Sequence, residues 1–387
     1  MARLDSLLAQ TNGLTQFNMG GSTYLVQTNS GVLYAIYLDT NADVSFKKST
    51  NGGKTWSSNT VISGAITGVQ LSVWYDRWSG INADLIHVCW SESGLDDVSY
   101  RSIDAANNDT LSAITIAFAG ASTATTGTLS IARARGGNLG IIFNIDGGTE
   151  TGYAKSTNTG GTWTAAANPN EAAADVAILV PGWGADNQDM MLFFWDISAN
   201  EISKKLYDDS ANTWSEVSIA TGMTYNASTN AYPHFAATVD ITNSQNLLVA
   251  WSAVDTANAD LRCWKVTESS TTETTNVVLN STDDQGLAAI GINTATEDWY
   301  VMYAGKSDGS ETWPTSVKVY CKKSTDDGAT WSSEEVQTDT LRAVRYIVTA
   351  PRFTGAPVFM THFDVATIDE LFVNSDYPAI GGRIIIT

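Results

Sequence analysis

Acidic residues recur in pairs along this chain, at spacings that can do chemistry. Asp39 is followed by Asp43, Glu92 by Asp96 and Asp97, Asp146 by Glu150, and Asp196 by Glu201. Asp255 with Asp260, Asp308 with Glu311, and Asp364 with Asp369 continue the series. Carboxylates held this close can ligate a hard cation through oxygen or hydrogen-bond sugar hydroxyls. At a suitable gap two of them can also serve as the acids of a glycosidase. The same residue types start turns and blunt exposed strand edges. So many similar pairs cannot all be catalytic. As a metal site the strongest group is Glu92 with Asp96 and Asp97, followed by Asp39 with Asp43. Ca²⁺ is the ion this chemistry expects, because neighbouring carboxylates repel unless a cation neutralises them. No cofactor is required.

Aromatic and imidazole side chains form the second set of candidates. Trp313 lies in the longest inserted hairpin, residues 305–316, and is expected to be exposed. An exposed indole can stack on a sugar face or anchor a protein partner. Trp183 sits in a Pro-Gly-Trp-Gly turn, and Trp74, Tyr75 and Trp78 cluster around Arg77. The histidines His87, His234 and His362 show no metal-ligand spacing. His87 and His362 fall inside apolar runs and are expected to be buried, which leaves His234 as the candidate. Cys89, Cys263 and Cys321 fall on predicted strands at unmatched spacing and read as buried thiols.

The elements that must position these residues are legible from repeats. Ser49, Asn51, Gly53, Thr55 and Trp56 recur with the same spacing as Ser156, Asn158, Gly160, Thr162 and Trp163, and again as Ser324, Asp326, Gly328, Thr330 and Trp331. A decayed copy keeps Asp209, Thr213 and Trp214. In each, the carboxylate or amide can accept backbone N–H bonds inside a tight hairpin. The Gly supplies a positive φ, and the Trp provides a large apolar surface.

A longer period lies beneath. Apolar runs begin at Leu33, Leu85, Leu139, Met190, Leu247, Trp299 and Pro357, 51 to 58 residues apart. Each is followed by a short acidic turn and a more mixed strand. Periods of this size indicate arrays or propellers, and runs apolar on both faces suit strands sandwiched between sheets. The expected fold is all-β: a seven-bladed β-propeller of four-stranded antiparallel blades, one domain over residues 1–387. Residues 1–20 read as an N-terminal arm or closing strand, with Met1–Gln10 capable of a short helix. The ring's last strand is expected either from Leu14–Asn18 or from Gly382–Thr387.

On these repeats the chain resembles the Asp-box, or bacterial neuraminidase repeat, propellers, a group of sialidases and non-catalytic relatives. The resemblance covers nearly the whole chain, although the blades starting near Leu85 and Leu247 have no recognisable box. It implies that the boxes lie at the turns between third and fourth strands. The ligand face is then the opposite end, where the acid pairs fall. A sialidase needs three arginines converging on a substrate carboxylate, an acid/base Asp and a Glu-activated Tyr nucleophile. Only Arg345, with Arg342 nearby, stands where that family's triad would. Arg77, Arg133 and Arg135 fall at the far ends of first strands, and the Arg-Ile-Pro motif is missing.

The functional expectation is therefore a non-enzymatic binding or structural propeller that contacts glycans or other proteins. Arg345, Arg342, Trp313 and His234 are its candidate binding residues. The alternative is a sialidase-like exo-glycosidase using ligand-face carboxylates. A net charge of −20 argues against nucleic-acid partners, and no stretch has the length of a membrane span. Low charge density, abundant Thr, Ser, Asn and Gly, and no signal peptide in this chain point to a phage virion surface, or to an extracellular setting.

Overall fold

The computed structural model describes residues 6–11, 25–41, 43–64, 68–75, 84–92, 96–120, 128–145, 150–172, 175–224, 234–252, 261–279, 285–313, 315–338, 341–363 and 369–374. Its described strands fall into seven sheets, taken here in chain order. The first holds Leu25–Gln27, Leu33–Leu38, Val44–Ser49 and Thr60–Ser63. The second holds Gly68–Tyr75, Leu85–Glu92, Asp97–Asp104 and Thr115–Ala119, with Thr110–Leu111 beside the third of these. The third holds Leu129–Arg133, Leu139–Asn144, Thr151–Ser156 and Thr164–Ala165. The fourth holds Val176–Pro181, Met190–Asp196, Glu201–Asp208 and Thr213–Thr221.

The fifth sheet holds His234–Asp240, Gln245–Trp251, Leu261–Val266 and Thr271–Glu273. The sixth holds Gly286–Asn293, Asp298–Ala304, Val319–Ser324 and Glu335–Val336, joined by Arg352–Phe353. The seventh holds Val344–Thr349, Phe359–Phe363, Asp369–Asn374 and Ser6–Thr11. First strands of successive sheets contact one another around an axis, and Leu25–Gln27 closes the circle against Val344–Thr349. The molecule is an all-β propeller.

The fold expectation needs correction. The sheets are not seven equivalent four-stranded antiparallel blades: the second and the sixth carry five strands each. In the sixth, Arg352–Phe353 runs parallel to Gly286–Asn293, so that sheet is mixed. Closure draws on the N-terminal residues 1–20, read as an arm or closing strand, through Ser6–Thr11. Ser6–Thr11 pairs antiparallel with Asp369–Asn374, so part of the segment read as a short helix is a strand. An open strand edge with unmet N–H and C=O groups outweighs a weak helical pattern in so short a segment. Leu14–Asn18 and Gly382–Thr387 lie outside the described residues.

Position within a sheet explains the apolar runs. Second strands such as Leu33–Leu38 and Leu139–Asn144 are buried at every residue, because a neighbouring sheet covers each face. Third strands such as Val44–Ser49 and Val319–Ser324 are mixed, and the outer Thr213–Thr221 is mostly exposed. The indoles of Trp90, Trp195, Trp251, Trp264 and Trp299 are fully buried between sheets. Near the axis, hydroxyls stitch one sheet to the next. Ile131 N–H donates to Ser72 Oγ at 3.1 Å, Leu179 N–H to Ser130 Oγ at 3.0 Å, and Ala177 N–H to Thr128 Oγ1 at 2.9 Å.

The repeated turns bond alike. Ser49 Oγ accepts the Gly53 N–H at 2.9 Å while Asn51 Oδ1 accepts the Thr55 N–H at 3.0 Å. Ser156 and Asn158 do the same for Gly160 and Thr162, and Ser324 and Asp326 for Gly328 and Thr330. Gly53, Gly160 and Gly328 all have φ near +80°, the conformation that selects glycine. Trp56, Trp163, Trp214 and Trp331 are half-buried. Three of them anchor by their N–H to the preceding sheet or its outgoing chain: Trp163 to Thr115, Trp214 to Ala167 and Trp331 to Thr275.

The decayed copy departs from the pattern. Thr213 already pairs with Asp208 in the sheet, so the hairpin is too short for the repeated turn. Asp208, not Asp209, accepts the turn N–H, from Ala211 at 2.9 Å. Asp209 faces the neighbouring sheet, where Lys155 Nζ reaches its carboxylate at 2.8 Å.

Candidate functional site

The repeated turns follow third strands, so the opposite end of the molecule carries the links from second to third strands and the starts of first strands. Most of the expected site residues are there. The acids, however, are largely spent on donors of the protein itself. Asp39 is buried; one oxygen accepts N–H bonds from Asn41 at 2.9 Å and Asp43 at 3.2 Å. Its other oxygen accepts from Ser45 Oγ at 3.0 Å and Asn59 Nδ2 at 3.1 Å. Glu92 accepts from Trp90 Nε1 at 2.8 Å and Ser99 Oγ at 3.1 Å. Asp196 and Asp308 close their own turns onto Ala199 and Ser310. Glu311 takes the Lys318 N–H and the Tyr320 hydroxyl.

Glu92, Asp96 and Asp97 do not form a three-residue metal-ligating group. Desolvation raises the Asp97 carboxyl above the usual carboxylate range, and Glu92 and Asp96 add to the effect by repulsion. Asp96 is held at positive φ, and its carbonyl accepts the Gly120 N–H, which extends the pairing of Asp97–Asp104 with Thr115–Ala119. Among the described residues no three His, Cys, Asp or Glu side chains gather as a metal ion would need. Asp146, Asp255, Asp260 and Asp364 lie outside the described residues.

Five described arginines are committed to protein acceptors. Arg133 is buried and donates to the Gly137 carbonyl at 3.1 Å. Arg135 donates to the carbonyls of Gly182, Gly184 and Asp186, with its guanidinium 5.3 Å from the Trp183 ring centre. Arg262 grips Glu273 with two bonds of 2.7 Å, and Arg352 donates to the Val239 carbonyl. Arg101 donates to the carbonyls of Ser112 and Ile62. Arg342 is tied through its backbone to Val317, each N–H donating to the other's carbonyl. Arg345 lies in Val344–Thr349 where the pairing with Phe359–Phe363 shifts register; its side chain and Arg77 lie outside the described residues.

Two expected residues do come together. His234 opens its strand and pairs across to Trp251, the last residue of the adjacent strand. Trp313 folds down from the 305–318 link of the next sheet onto both. Its ring centre lies 6.4 Å from His234 and 6.3 Å from Trp251. Trp313 is only 6% exposed, which overturns the expectation of an exposed indole. The length and polarity of its hairpin pointed outward, but the gap over Gly286, a residue with no side chain, receives the ring. His234 is 5% exposed, and burial drives its pKa down to about 3, so the imidazole is neutral. His87 is buried as expected, with Nδ1 2.7 Å from the Tyr100 hydroxyl.

Sequence reasoning missed Glu171 and Asp175, which are 6% and 4% exposed at this same end. Burial raises Glu171 to about 7 against the opposing pull of Lys205, its ion-pair partner. Burial raises Asp175 to about 6, although the Ile197 N–H donates to it at 3.0 Å. Their spacing of four was the available signal, but it precedes a first strand and not a second-to-third link. On the axis, a cavity lined by Gln27, Ser72, Ser130, Thr238 and Arg352 has a volume of about 30 Å³. Roughly 10–15 Å³ on this measure holds one water, so the space suits a few waters.

No family model matches the chain, and no curated protein matches it. Solved structures resemble it at low identity. A lectin of Aleuria aurantia in complex with Fucalpha1-6GlcNAc is 13% identical, with a TM-score of 0.47, over 84% of this chain and 98% of that one. AofleA from Arthrobotrys oligospora is 9% identical with a TM-score of 0.49 and 92% of each chain covered. The NanB sialidase of Streptococcus pneumoniae is 10% identical with a TM-score of 0.47, over 96% of this chain and 70% of that one.

Proposed function

We propose that this chain is a non-catalytic binding propeller whose ligand face, the end opposite the repeated turns, contacts glycans. The observation that carries this reading is the commitment of Arg101, Arg133, Arg135, Arg262 and Arg352 to protein acceptors. A guanidinium already bonded to carbonyls or to Glu273 cannot converge on a substrate carboxylate without breaking those bonds. The bonding of the turns at Ser49, Ser156 and Ser324 supports reading them as Asp-boxes, which are folding elements with no part in chemistry. Low charge density and abundant small polar residues support a virion-surface or extracellular setting.

The rival reading, a glycosidase, has one observation in its favour: Glu171 and Asp175 are buried carboxyls with raised pKa values, the environment of a general acid. A glycan array combined with a hydrolysis screen on sialosides and other glycosides separates the two. Binding without turnover is expected. Turnover that disappears in Glu171→Gln or Asp175→Asn would overturn the binding reading.

A further inference from the structure

Four residues from two neighbouring sheets meet at the ligand face. His234 begins the first strand of the fifth sheet, and Trp251 ends the second. Gly286 begins the first strand of the sixth sheet, whose link from second to third strand carries Trp313. The three rings pack against one another, with the His234 and Trp313 planes at 88°. A Cβ at Gly286 would fall inside the Trp313 indole, so the ring is seated directly on backbone.

Within this cluster His234 Nε2 and Trp313 Nε1 are both buried and lack a hydrogen-bond partner among the described residues. Buried polar atoms without partners are uncommon and each disfavours the state that contains it. Two in one three-ring cluster is a destabilised arrangement that a hydroxyl group would relieve. The rings offer flat apolar faces and neutral nitrogens but no charge to offset an anion. The matching ligand has an apolar face, several hydroxyls and no net charge.

We propose that this cluster is a binding site for one neutral sugar ring, closed by Trp313 in the state described here. The sugar displaces the indole from Gly286 and stacks on Trp251. One of its hydroxyls bonds to His234 Nε2, and the released Trp313 N–H reaches a second hydroxyl or solvent. The imidazole, held neutral by burial, can serve as acceptor. This site rests on the reading of the chain as a glycan-binding propeller.

The test measures binding of methyl glycosides of neutral hexoses, 6-deoxyhexoses and N-acetylhexosamines by titration calorimetry and tryptophan fluorescence. His234→Ala should weaken the best ligand about tenfold, the loss expected for one hydrogen bond. Gly286→Ala pushes the indole off its seat, so it should red-shift the emission before ligand is added and tighten binding. Trp313→Phe keeps an aromatic plug without the N–H and guards against a His234 variant that fails to fold; it should also bind more weakly. Wild-type binding left unchanged by all three substitutions would overturn this site while leaving the glycan reading intact. No binding of any glycoside by wild type or Gly286→Ala would overturn both.

Discussion

The Ser130 hydroxyl accepts the backbone N–H of Leu179 across the boundary between the third and fourth sheets, at 3.0 Å. A side chain 49 positions away thus satisfies a buried amide that no strand pairs. Ser72 with Ile131 and Thr128 with Ala177 repeat the arrangement. Ser130→Ala leaves the Leu179 N–H without its acceptor. It should lower unfolding free energy by about 1–3 kcal/mol, read as a lower urea midpoint at unchanged slope. A midpoint equal to wild type would show that water replaces the hydroxyl.

The turn at Ser324 makes a separate forecast. Asp326 is held below the usual carboxylate range chiefly by the Thr330 hydroxyl and N–H. A carboxyl with a depressed folded pKa contributes stability that is present above its unfolded value of 3.8 and lost as pH falls through the folded value. Asp326→Ala should therefore be destabilising at pH 7 and approach wild type below pH ~3. An equal gap at both pH values would assign the loss to backbone conformation alone.

Glu171 and Asp175 act in the opposite direction. Their folded values, about 7 and about 6, lie above the ordinary 4.5 and 3.8. The fold favours the protonated forms, so their contribution is full below the ordinary values. It declines as pH rises through the folded ones. Asp175→Asn should flatten the pH dependence of the urea midpoint between about 4 and 6, and Glu171→Gln between about 4.5 and 7. Lys205 loses one of its two ion-pair partners in the second variant and keeps Glu216, which lowers the overall midpoint without restoring the slope. A wild-type slope in both variants would remove these groups as its source.

Chelation provides a further check. The Asp39 and Glu92 oxygens already accept bonds from Ser45, Asn59, Trp90 and Ser99. A structural ion would raise stability by mass action. Thermal melting is expected to give one Tm in EDTA and in millimolar Ca²⁺. A Tm raised by Ca²⁺ would restore the acid pairs as a cation site.

Much of the architecture was legible before any coordinates. The Ser–Asn–Gly–Thr–Trp turns depend on bonds between residues four apart or fewer, so their spacing specifies them. The apolar runs carry the same information, because a strand covered on both faces must be apolar at every position. Glycine at the turn is demanded by φ near +80°. What the local pattern does not contain is the identity of each group's distant partner. Asp209 reads as a turn residue until Lys155 is seen beside it. Trp313 reads as exposed until Gly286 leaves room for its ring. Met1–Gln10 reads as a possible short helix until Asp369–Asn374 presents an open edge to Ser6–Thr11. Glu171 and Asp175 carry no sequence signal of burial, since neighbouring sheets desolvate them. Local turn chemistry and hydrophobic periodicity were determined by the sequence itself; desolvation, partner choice and ring closure arise from contacts between segments far apart in the chain, which only the folded ring brings together.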